Sequence, residues 1–326
     1  MKRFIGVFLA LVLLFTQMGV IGFASETLEV DSDGYYLIND AEDLYAFRDL
    51  VNSGEYDVNA KLTADIVLNE GVLDENGDLN EGTFTQWHPI GDKNAFSPSN
   101  TNTFSGVFDG RNYTIYGMYY YGTEGYEYDS GIALFGTING GTVKNLTIRD
   151  SYFKTSYSSG FVCGYAIDGT IENCDVYATI EGEYESAGIC GIADKGYTNI
   201  VECNFYGIVN GTHRVGGICG SFDVGSIKYC NNYGAITGSS NVAGIAGGAG
   251  NYDQSTPIKG CGNYGEINAN SGSSYNYTGG ICGFANDVFF EDCINVGNIH
   301  SVSTDSFIEV GGIVGYGDGG IKNCFS

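Results

Sequence analysis

The chain has 326 residues with 39 acidic and 14 basic side chains, and its formal charge is −25. Such a surface repels nucleic acid and anionic membranes, so neither is expected as a partner of the folded chain. The 25 Tyr and 19 Phe supply apolar area for a large core, and with only three Pro the composition argues against a disordered chain.

Residues 1–24 have the features of a secretory signal peptide. A basic start, Lys2 and Arg3, precedes an apolar run and a small-residue cleavage site that ends at Ala24. The run is shorter than the roughly 20 residues that span a bilayer, so we expect removal of the segment and no membrane span afterwards. The mature chain, residues 25–326, would carry a formal charge of −27, because two cations and no acid are lost. We therefore predict a secreted, extracellular protein, with association with the cell surface left open.

Residues 25–118 differ from the rest of the chain and predict an N-terminal cap with irregular first coils. Asn39 is the expected N-cap of a helix, with Glu42 as its capping-box partner, and the helix should end near Asn52. Terminal units of a stacked repeat protein must cover the open end of its core, which is the role we expect for this segment. The core-facing residues predicted for the helix are Leu44, Phe47, Leu50 and Val51.

Residues 74–80 space side-chain oxygens at alternate positions, as a calcium-binding loop does. An EF-hand loop would require Gly where Leu79 stands and Glu where Thr85 stands. We therefore predict an acidic hairpin loop for this segment, and calcium binding is left open.

One Gly-rich block recurs seven times in residues 119–326, and its closing glycines lie 27 to 36 residues apart. A second block, which mostly ends in Cys, follows each copy, and a third block of the type Tyr-Gly-x-Ile follows most of them. All three blocks are short, β-prone and bounded by turn residues, so we predict three short strands per repeat. The closing glycines are Gly136, Gly164, Gly191, Gly220, Gly247, Gly283 and Gly315.

Repeats of this size cannot bury a face alone and must stack on their neighbours. We therefore predict an all-β protein, a right-handed parallel β-helix or β-solenoid of about seven Gly-rich coils, with a cap that contains one short α-helix. The sequence stops at Ser326, directly after the second block of its last repeat and before the third, which predicts a C-terminal truncation. The predicted division is a signal peptide at 1–24, a cap at 25–118 and a solenoid at 119–326.

The repeats resemble the GLUG motif repeat. The resemblance is carried by the blocks Gly-Gly-Ile-Cys-Gly, Gly-x-Ile-x-x-Cys and Tyr-Gly-x-Ile-x-Gly, while residues 38–44, 62–66, 87–91 and 104–110 are similar to the region that often precedes such repeats. It covers residues 35–326. GLUG repeats occur mostly in bacterial surface or secreted proteins, including adhesins, and beside the protease domains of IgA-specific metalloproteases. The resemblance implies an extracellular β-helical stalk or adhesive module and no catalytic residue.

The ten Cys occupy two positions of the repeat. At the first position Cys alternates with Phe135, Ala246 and Val314, and at the second with Leu146, which is how a small buried hydrophobe behaves. Disulfides are common in secreted chains, but pairing within coils would place Cys261 opposite Ala246. We therefore predict free buried thiols. No metal site is predicted, because Cys-x-x-Cys spacing is absent.

Tyrosines provide the candidate binding surface. One cluster precedes and follows a Gly-marked loop, where Tyr makes contact surface at low entropy cost; the alternative is that these rings cover the first coil. A second set stands three residues after the second Cys and shares its position with Val296, which predicts a partly buried structural stack beside an asparagine turn ladder. The candidate surface consists of Tyr119, Tyr120, Tyr121, Tyr126 and Tyr128. The stack consists of Tyr177, Tyr206, Tyr233 and Tyr264, and the ladder of Asn232, Asn263 and Asn295.

Candidate catalytic groups are few. His88, His213 and His300 begin no His-Glu-x-x-His motif, which excludes a zinc protease of that class. A polysaccharide hydrolase needs two facing carboxylates and a lyase needs a base, and no such pair recurs at one position of the repeat. We therefore predict a non-enzymatic adhesion or spacer module without catalytic residue, metal or cofactor, whose partner is an extracellular glycan or a host or cell-surface protein. A β-helix lyase or glycoside hydrolase is the alternative, and the oligomeric state is left open.

Overall fold

The computed structural model describes residues 28–91, 102–122, 130–250, 256–270, 276–302 and 307–326. Most regular structure in these residues is β-strand, and strands of successive coils pair in parallel, which confirms the predicted parallel β-solenoid. Residues 1–24, predicted as a signal peptide, lie outside the described residues. Within those ranges, no helix is long and apolar enough to cross a membrane.

The predicted helix near the N-terminus is confirmed, but it begins one residue later than expected. The elements of this part are β1 (Tyr35–Ile38), α1 (Ala41–Asn52), β2 (Asn59–Leu62), β3 (Ile66–Val67), β4 (Val107–Asp109), β5 (Thr114–Tyr116) and β6 (Tyr119–Tyr121). The N-cap of α1 is Asp40, whose carboxylate accepts the Asp43 N–H at 3.0 Å. Asp43 in turn accepts the Asn39 N–H at 2.9 Å. This reciprocal pair holds Asn39 outside the helix and replaces the capping box that we expected from Asn39 and Glu42.

The N-terminal strands are the first rungs of the ladder that the repeats continue. β1 pairs with β2, β2 with β4, and β4 with residues 142–144 of the first repeat, all in parallel. Ala60, Phe108 and Val143 therefore stack in one fully buried column. α1 covers this end of the core, because its Phe47 ring lies 6.1 Å from the ring of Phe108. The helix thus seals apolar surface that a stacked fold would otherwise expose.

A regular coil contains five short strands rather than the predicted three. In the coil of residues 190–216, the strands Asn204–Phe205 and His213–Gly216 lie outside the three blocks to which the repeat analysis assigned strands. The strand His213–Gly216 and its counterparts in other coils form a separate six-stranded parallel sheet. The repeat strands are β7 (Phe135–Lys154), β8 (Tyr157–Ser159), β9 (Cys163–Glu181), β10 (Tyr184–Ala187), β11 (Cys190–Ala193), β12 (Thr198–Val201), β13 (Asn204–Phe205), β14 (Ile208–Asn210), β15 (His213–Gly216), β16 (Cys219–Phe222), β17 (Gly225–Lys228), β18 (Asn231–Asn232), β19 (Ala235–Gly238), β20 (Ser240–Ala243), β21 (Ala246–Ala249), β22 (Thr256–Lys259), β23 (Gly262–Asn263), β24 (Ile267–Ala269), β25 (Asn276–Gly279), β26 (Cys282–Glu291), β27 (Ile294–Asn295), β28 (Ile299–Ser301), β29 (Ile308–Gly311) and β30 (Val314–Lys322).

The two cysteine positions form columns along the solenoid, as the sequence predicted. Nine of the ten thiols are buried, all ten are free, and Cys324 is partly exposed. Burial raises the pKa of thiols such as Cys163 and Cys282, so they stay neutral like the hydrocarbons that replace them. The second column starts at Leu146, which pairs with Cys174. The first column consists of Phe135, Cys163, Cys190, Cys219, Ala246, Cys282 and Val314.

A residue in left-handed backbone conformation stands directly before each position of the second column, from Leu146 to Cys324. At this corner φ lies between 51° and 64° in every repeat. Asn, Asp and Gly adopt this conformation at low cost and occupy five of the seven corners, while Glu202 and Tyr229 occupy the other two. The corner residues are Asn145, Asn173, Glu202, Tyr229, Gly260, Asp292 and Asn323.

The predicted asparagine ladder is confirmed and lies inside the later coils. The Asn232 side-chain amide donates to Asn263 Oδ1 at 2.8 Å, and that of Asn263 donates to Asn295 Oδ1 at 2.7 Å. The Asn232 amide also donates to the Gly234 carbonyl at 3.1 Å. Phe205 holds the same register one coil earlier. A column can therefore change from hydrocarbon to amide, provided that the amides bond to each other and to the turn backbone.

The glycines that open the first block leave no room for a side chain. A Cβ on Gly217 would lie 2.3 Å from the carbonyl oxygen of Gly244 in the next coil and 2.6 Å from Asn232 Oδ1. Gly188 and Gly280 would meet the next coil in the same way, at 2.5 Å and 2.1 Å from its glycine carbonyl. At Gly188, Gly217 and Gly280 the backbones of successive coils approach too closely for a larger residue, whereas Ala133 and Phe161 hold the same position in the first two coils.

Replacing Gly217 by Ala should lower the free energy of unfolding by about 1–3 kcal/mol, because the added methyl must push two coils apart. The matched control is Gly248→Ala, since a Cβ there meets only the Arg214 side chain, at 3.8 Å or more. The control should change stability by no more than about 0.5 kcal/mol. Denaturant melts of both variants measure the difference, and equal effects would contradict this account of the glycines.

Candidate functional site

Four tyrosines form a continuous stack on the outside of the coils. Ring centroids lie 4.3 Å apart from Tyr177 to Tyr206, and 4.9 Å apart at the next two steps, to Tyr233 and Tyr264. Neighbouring rings are within 10° of parallel. We call these four residues the tyrosine strip. They follow from parallel in-register pairing, which places like residues of successive coils about 4.8 Å apart.

The strip is half exposed, and its geometry determines what it can contact. Tyr206, Tyr233 and Tyr264 expose 37%, 45% and 44% of their surface, so the predicted partial burial is confirmed. Because the ring faces are covered by the neighbouring rings, the strip offers ring edges to solvent. Burial and the nearby Asp175 raise the pKa of Tyr206 to about 12, so its hydroxyl remains a proton donor well into the alkaline range.

Arg149 closes the N-terminal end of the strip. It pairs with Tyr177 in the strand register, and its guanidinium carbon lies 3.7 Å from the centre of that ring. This is a cation–π contact with the ring face that the preceding coil would otherwise leave free. Sequence reasoning missed Arg149, although the repeat register gives its position, because the tyrosine set was defined by residue type.

The acidic segment after β3 forms the predicted hairpin and docks on the outside of the repeats. Leu73 and Leu79 are bridged in antiparallel fashion, and the Asp74 carboxylate accepts the N–H groups of Asn76 and Asp78 at 2.8 and 2.9 Å. These backbone hydrogen bonds, the one from Asp78 foremost, lower the pKa of Asp74. The oxygen that bonds both amides is therefore engaged within the turn, as in an Asx-turn.

Two hydrogen bonds attach the hairpin to coils that are distant in sequence. Thr179 Oγ1 donates to the Gly77 carbonyl at 2.7 Å, and the Leu73 N–H donates to Asp150 Oδ1 at 2.7 Å. A cleft of about 340 Å³ lies between the hairpin and the start of the tyrosine strip. The polar side chains around it include those of Asp74, Glu75, Asp150, Tyr177, Thr179 and Tyr206. No signal in the sequence predicted this contact.

The candidate surface predicted around residue 120 is only partly within the described residues. Tyr120 is 7% exposed and faces the core, while Tyr121 is 40% exposed. Tyr119 stacks on Tyr152 with a centroid distance of 6.4 Å. The structure thus places Tyr120 as a cover of the first coil and leaves Tyr121 on the surface. Tyr126 and Tyr128 lie outside the described residues.

A second polar cluster surrounds Arg214, where the separate six-stranded sheet meets β16. The guanidinium Nη1 lies 3.3 Å from Ser221 Oγ and 3.7 Å from Glu185 Oε1. Ser221 Oγ donates to Asp223 Oδ1 at 3.5 Å, a long bond. Burial raises the pKa of both Glu185 and Asp223, and Asp194 adds to the effect on Asp223. Sequence reasoning missed this pair of carboxylates, because it assigned no strand to the segments that carry Glu185 and Arg214.

The raised pKa of Asp223 predicts that this residue affects stability in a pH-dependent way. A carboxyl whose pKa is higher in the folded state lowers the free energy of unfolding: the cost is absent below the unfolded pKa, grows as pH rises from there to the folded pKa, and is complete above it. Asp223→Asn should therefore raise the melting temperature at pH 7 and leave it unchanged near pH 3. Asp168→Asn, which removes the same charge at an exposed position, controls for the net charge of the chain. Equal shifts in both variants at pH 7 would contradict the assignment.

Comparison with solved structures finds a similar fold in a protein described as a putative immunoglobulin A1 protease from Bacteroides ovatus. The TM-score is 0.65 and the identity 19%, over 92% of this chain and 86% of that chain. At this identity the likeness shows the fold alone. No family model matches the chain, and no curated protein matches it. The resemblance to the GLUG repeat therefore remains a sequence-based prediction.

Proposed function

We propose that the chain is a secreted or cell-surface repeat module without catalytic activity, which binds a partner protein through the tyrosine strip and holds it away from its own attachment point. The observation that carries the proposal is the strip itself, four stacked tyrosines on a parallel β-scaffold, of which Tyr206, Tyr233 and Tyr264 are exposed. Tyr supplies large contact area at low entropy cost, and its hydroxyl hydrogen-bonds to a partner.

The geometry of the strip favours a protein partner over a glycan. Sugar rings are held by stacking on free aromatic faces, but the faces of Tyr206 and Tyr233 are covered on both sides by neighbouring rings. Ring edges and hydroxyls remain, and these suit the mixed polar and apolar surface of a protein. The carboxylates of Asp74, Glu75 and Asp150 beside the strip favour a basic patch on that partner.

The solenoid supports the spacer role because its columns run through every coil. Seven stacked positions from Phe135 to Val314 are linked by six parallel pairings, so a load at one end is shared by a continuous backbone ladder. Burial also protects nine thiols from oxidation, which is compatible with free Cys outside the cell. The secreted location itself rests on the signal peptide predicted at residues 1–24.

The test is binding of the mature chain to arrays of extracellular proteins and of glycans. We expect protein ligands, and we expect Tyr206→Ala with Tyr233→Ala to weaken binding at least tenfold, because the double change removes the centre of the strip. Tyr197→Ala, which removes a ring that is 52% exposed at another position of the coil, is the matched control and should stay within twofold. Glycan binding alone, or equal loss in the control, would contradict the proposal.

A polysaccharide-cleaving enzyme is the second candidate, and one observation favours it. Glu185 and Asp223 flank Arg214, and both have a raised pKa, as a general acid requires. The same preparation incubated with bacterial and host polysaccharides distinguishes the two functions. If the protein releases reducing ends from a polysaccharide, and Glu185→Gln abolishes that release, the chain is an enzyme and the non-enzymatic proposal is wrong.

A further inference from the structure

We infer that the cleft between the 73–79 hairpin and the tyrosine strip receives one arginine side chain of the partner protein. The inference rests on the proposed function and names the chemistry of the residue that the partner inserts. The cleft lies beside the strip. Tyr177 and Tyr206 belong to both, but the exposed edges of Tyr233 and Tyr264 lie outside the cleft.

The cleft is preformed, because its outer wall is fixed at two points. Thr179 Oγ1 donates to the Gly77 carbonyl, and Asp150 Oδ1 accepts the Leu73 N–H, both at 2.7 Å. Gly77 has a φ of 84°, and a Cβ there would lie 3.1 Å from Ile208 Cδ1. The hairpin tip is therefore seated closely against the coil, and a partner finds the walls in place without paying to order them.

The charge of the walls selects a cation. Asp74, Glu75 and Asp150 line the cleft, and none of its lining residues in the described ranges is basic. Arg149, the nearest basic residue in the register, lies against the Tyr177 ring rather than among the lining residues. The lining residues therefore carry three carboxylates, and the guanidinium of Arg149 is held against the ring of Tyr177.

Arginine fits the cleft better than lysine or a sugar chain. Asp150 is half-buried, and its Oδ1 is engaged by the hairpin amide; within the described part of the chain no group donates to its Oδ2. A guanidinium can bond that oxygen and a second carboxylate with its fixed fork of donors. The apolar stem would lie along Leu73, Ala178 and Ile208. A volume of about 340 Å³ is at the lower end for ligand sites, suited to one side chain.

The experiment measures binding of N-acetylarginine amide to the full mature chain by NMR titration at 150 mM salt. N-acetylcitrulline amide has the same shape without the charge. We expect the arginine compound to bind at least tenfold more tightly than the citrulline compound, and its shifts to centre on residues 73–77, 150 and 177–179.

Asp150→Asn is the decisive variant. Asn retains an Oδ1 that accepts the Leu73 N–H, and like Asp it tolerates the φ of 49° at this position. The substitution therefore removes only the negative charge. We expect it to weaken arginine binding at least fivefold. Glu172→Gln removes one charge from an exposed position outside the cleft and should stay within twofold, which separates the cleft from a general attraction to an acidic protein.

The outcomes separate this inference from the proposed function. Equal binding of the arginine and citrulline compounds, or equal effects of Asp150→Asn and Glu172→Gln, overturns the arginine pocket. If the array partner still depends on Tyr206 and Tyr233 in that case, the proposed function stands without the pocket. Arginine binding that depends on Asp150, in a chain that binds no array protein, supports the pocket and contradicts the adhesive function.

Discussion

Parallel, in-register pairing of successive coils is the constraint on which the rest of the structure depends. It places equivalent residues about 4.8 Å apart along the axis, so each position of the repeat becomes a column with its own chemistry. Inside, the columns hold thiols, hydrocarbons or bonded amides. Outside, one column holds stacked tyrosines. A residue can occupy a position when its side chain packs against the equivalent side chains of the two adjacent coils. Cys can therefore exchange with Phe, Ala and Val along one column.

The same constraint explains the glycines and the corners. Close approach of two backbones excludes a Cβ at Gly188, Gly217 and Gly280, and the turn before the second cysteine column has a left-handed residue in each coil. These are backbone requirements that recur once per coil, so they appear in the sequence as a Gly-rich and Asn-rich repeat. The repeat motif is therefore explained by the requirements of stacking rather than by those of a binding site.

Much of this geometry could be predicted from the sequence, because a repeat period states which residues stack. Both cysteine columns, the asparagine ladder and the tyrosine stack followed from that reasoning, while the helix near residue 41 followed from its capping residues and apolar spacing. The period does not say how far around the coil two positions lie. The separate sheet of β8, β10, β15, β20, β25 and β29 was therefore missed, and with it the meeting of Glu185, Arg214 and Asp223. The docking of the hairpin on Thr179 was also missed, because contacts over 102 residues leave no local pattern.

The most direct test of the central claim is a set of distances along one column. Lys144, Glu172, Glu291 and Lys322 belong to a column in which each coil adds one step, with four steps from 172 to 291 and six from 144 to 322. Spin labels on non-canonical residues at these positions leave the native thiols untouched. Pulsed electron resonance should give about 19 Å for the shorter pair and about 29 Å for the longer pair, in proportion to the steps. Distances that do not scale with the number of coils would contradict in-register stacking and the account built on it.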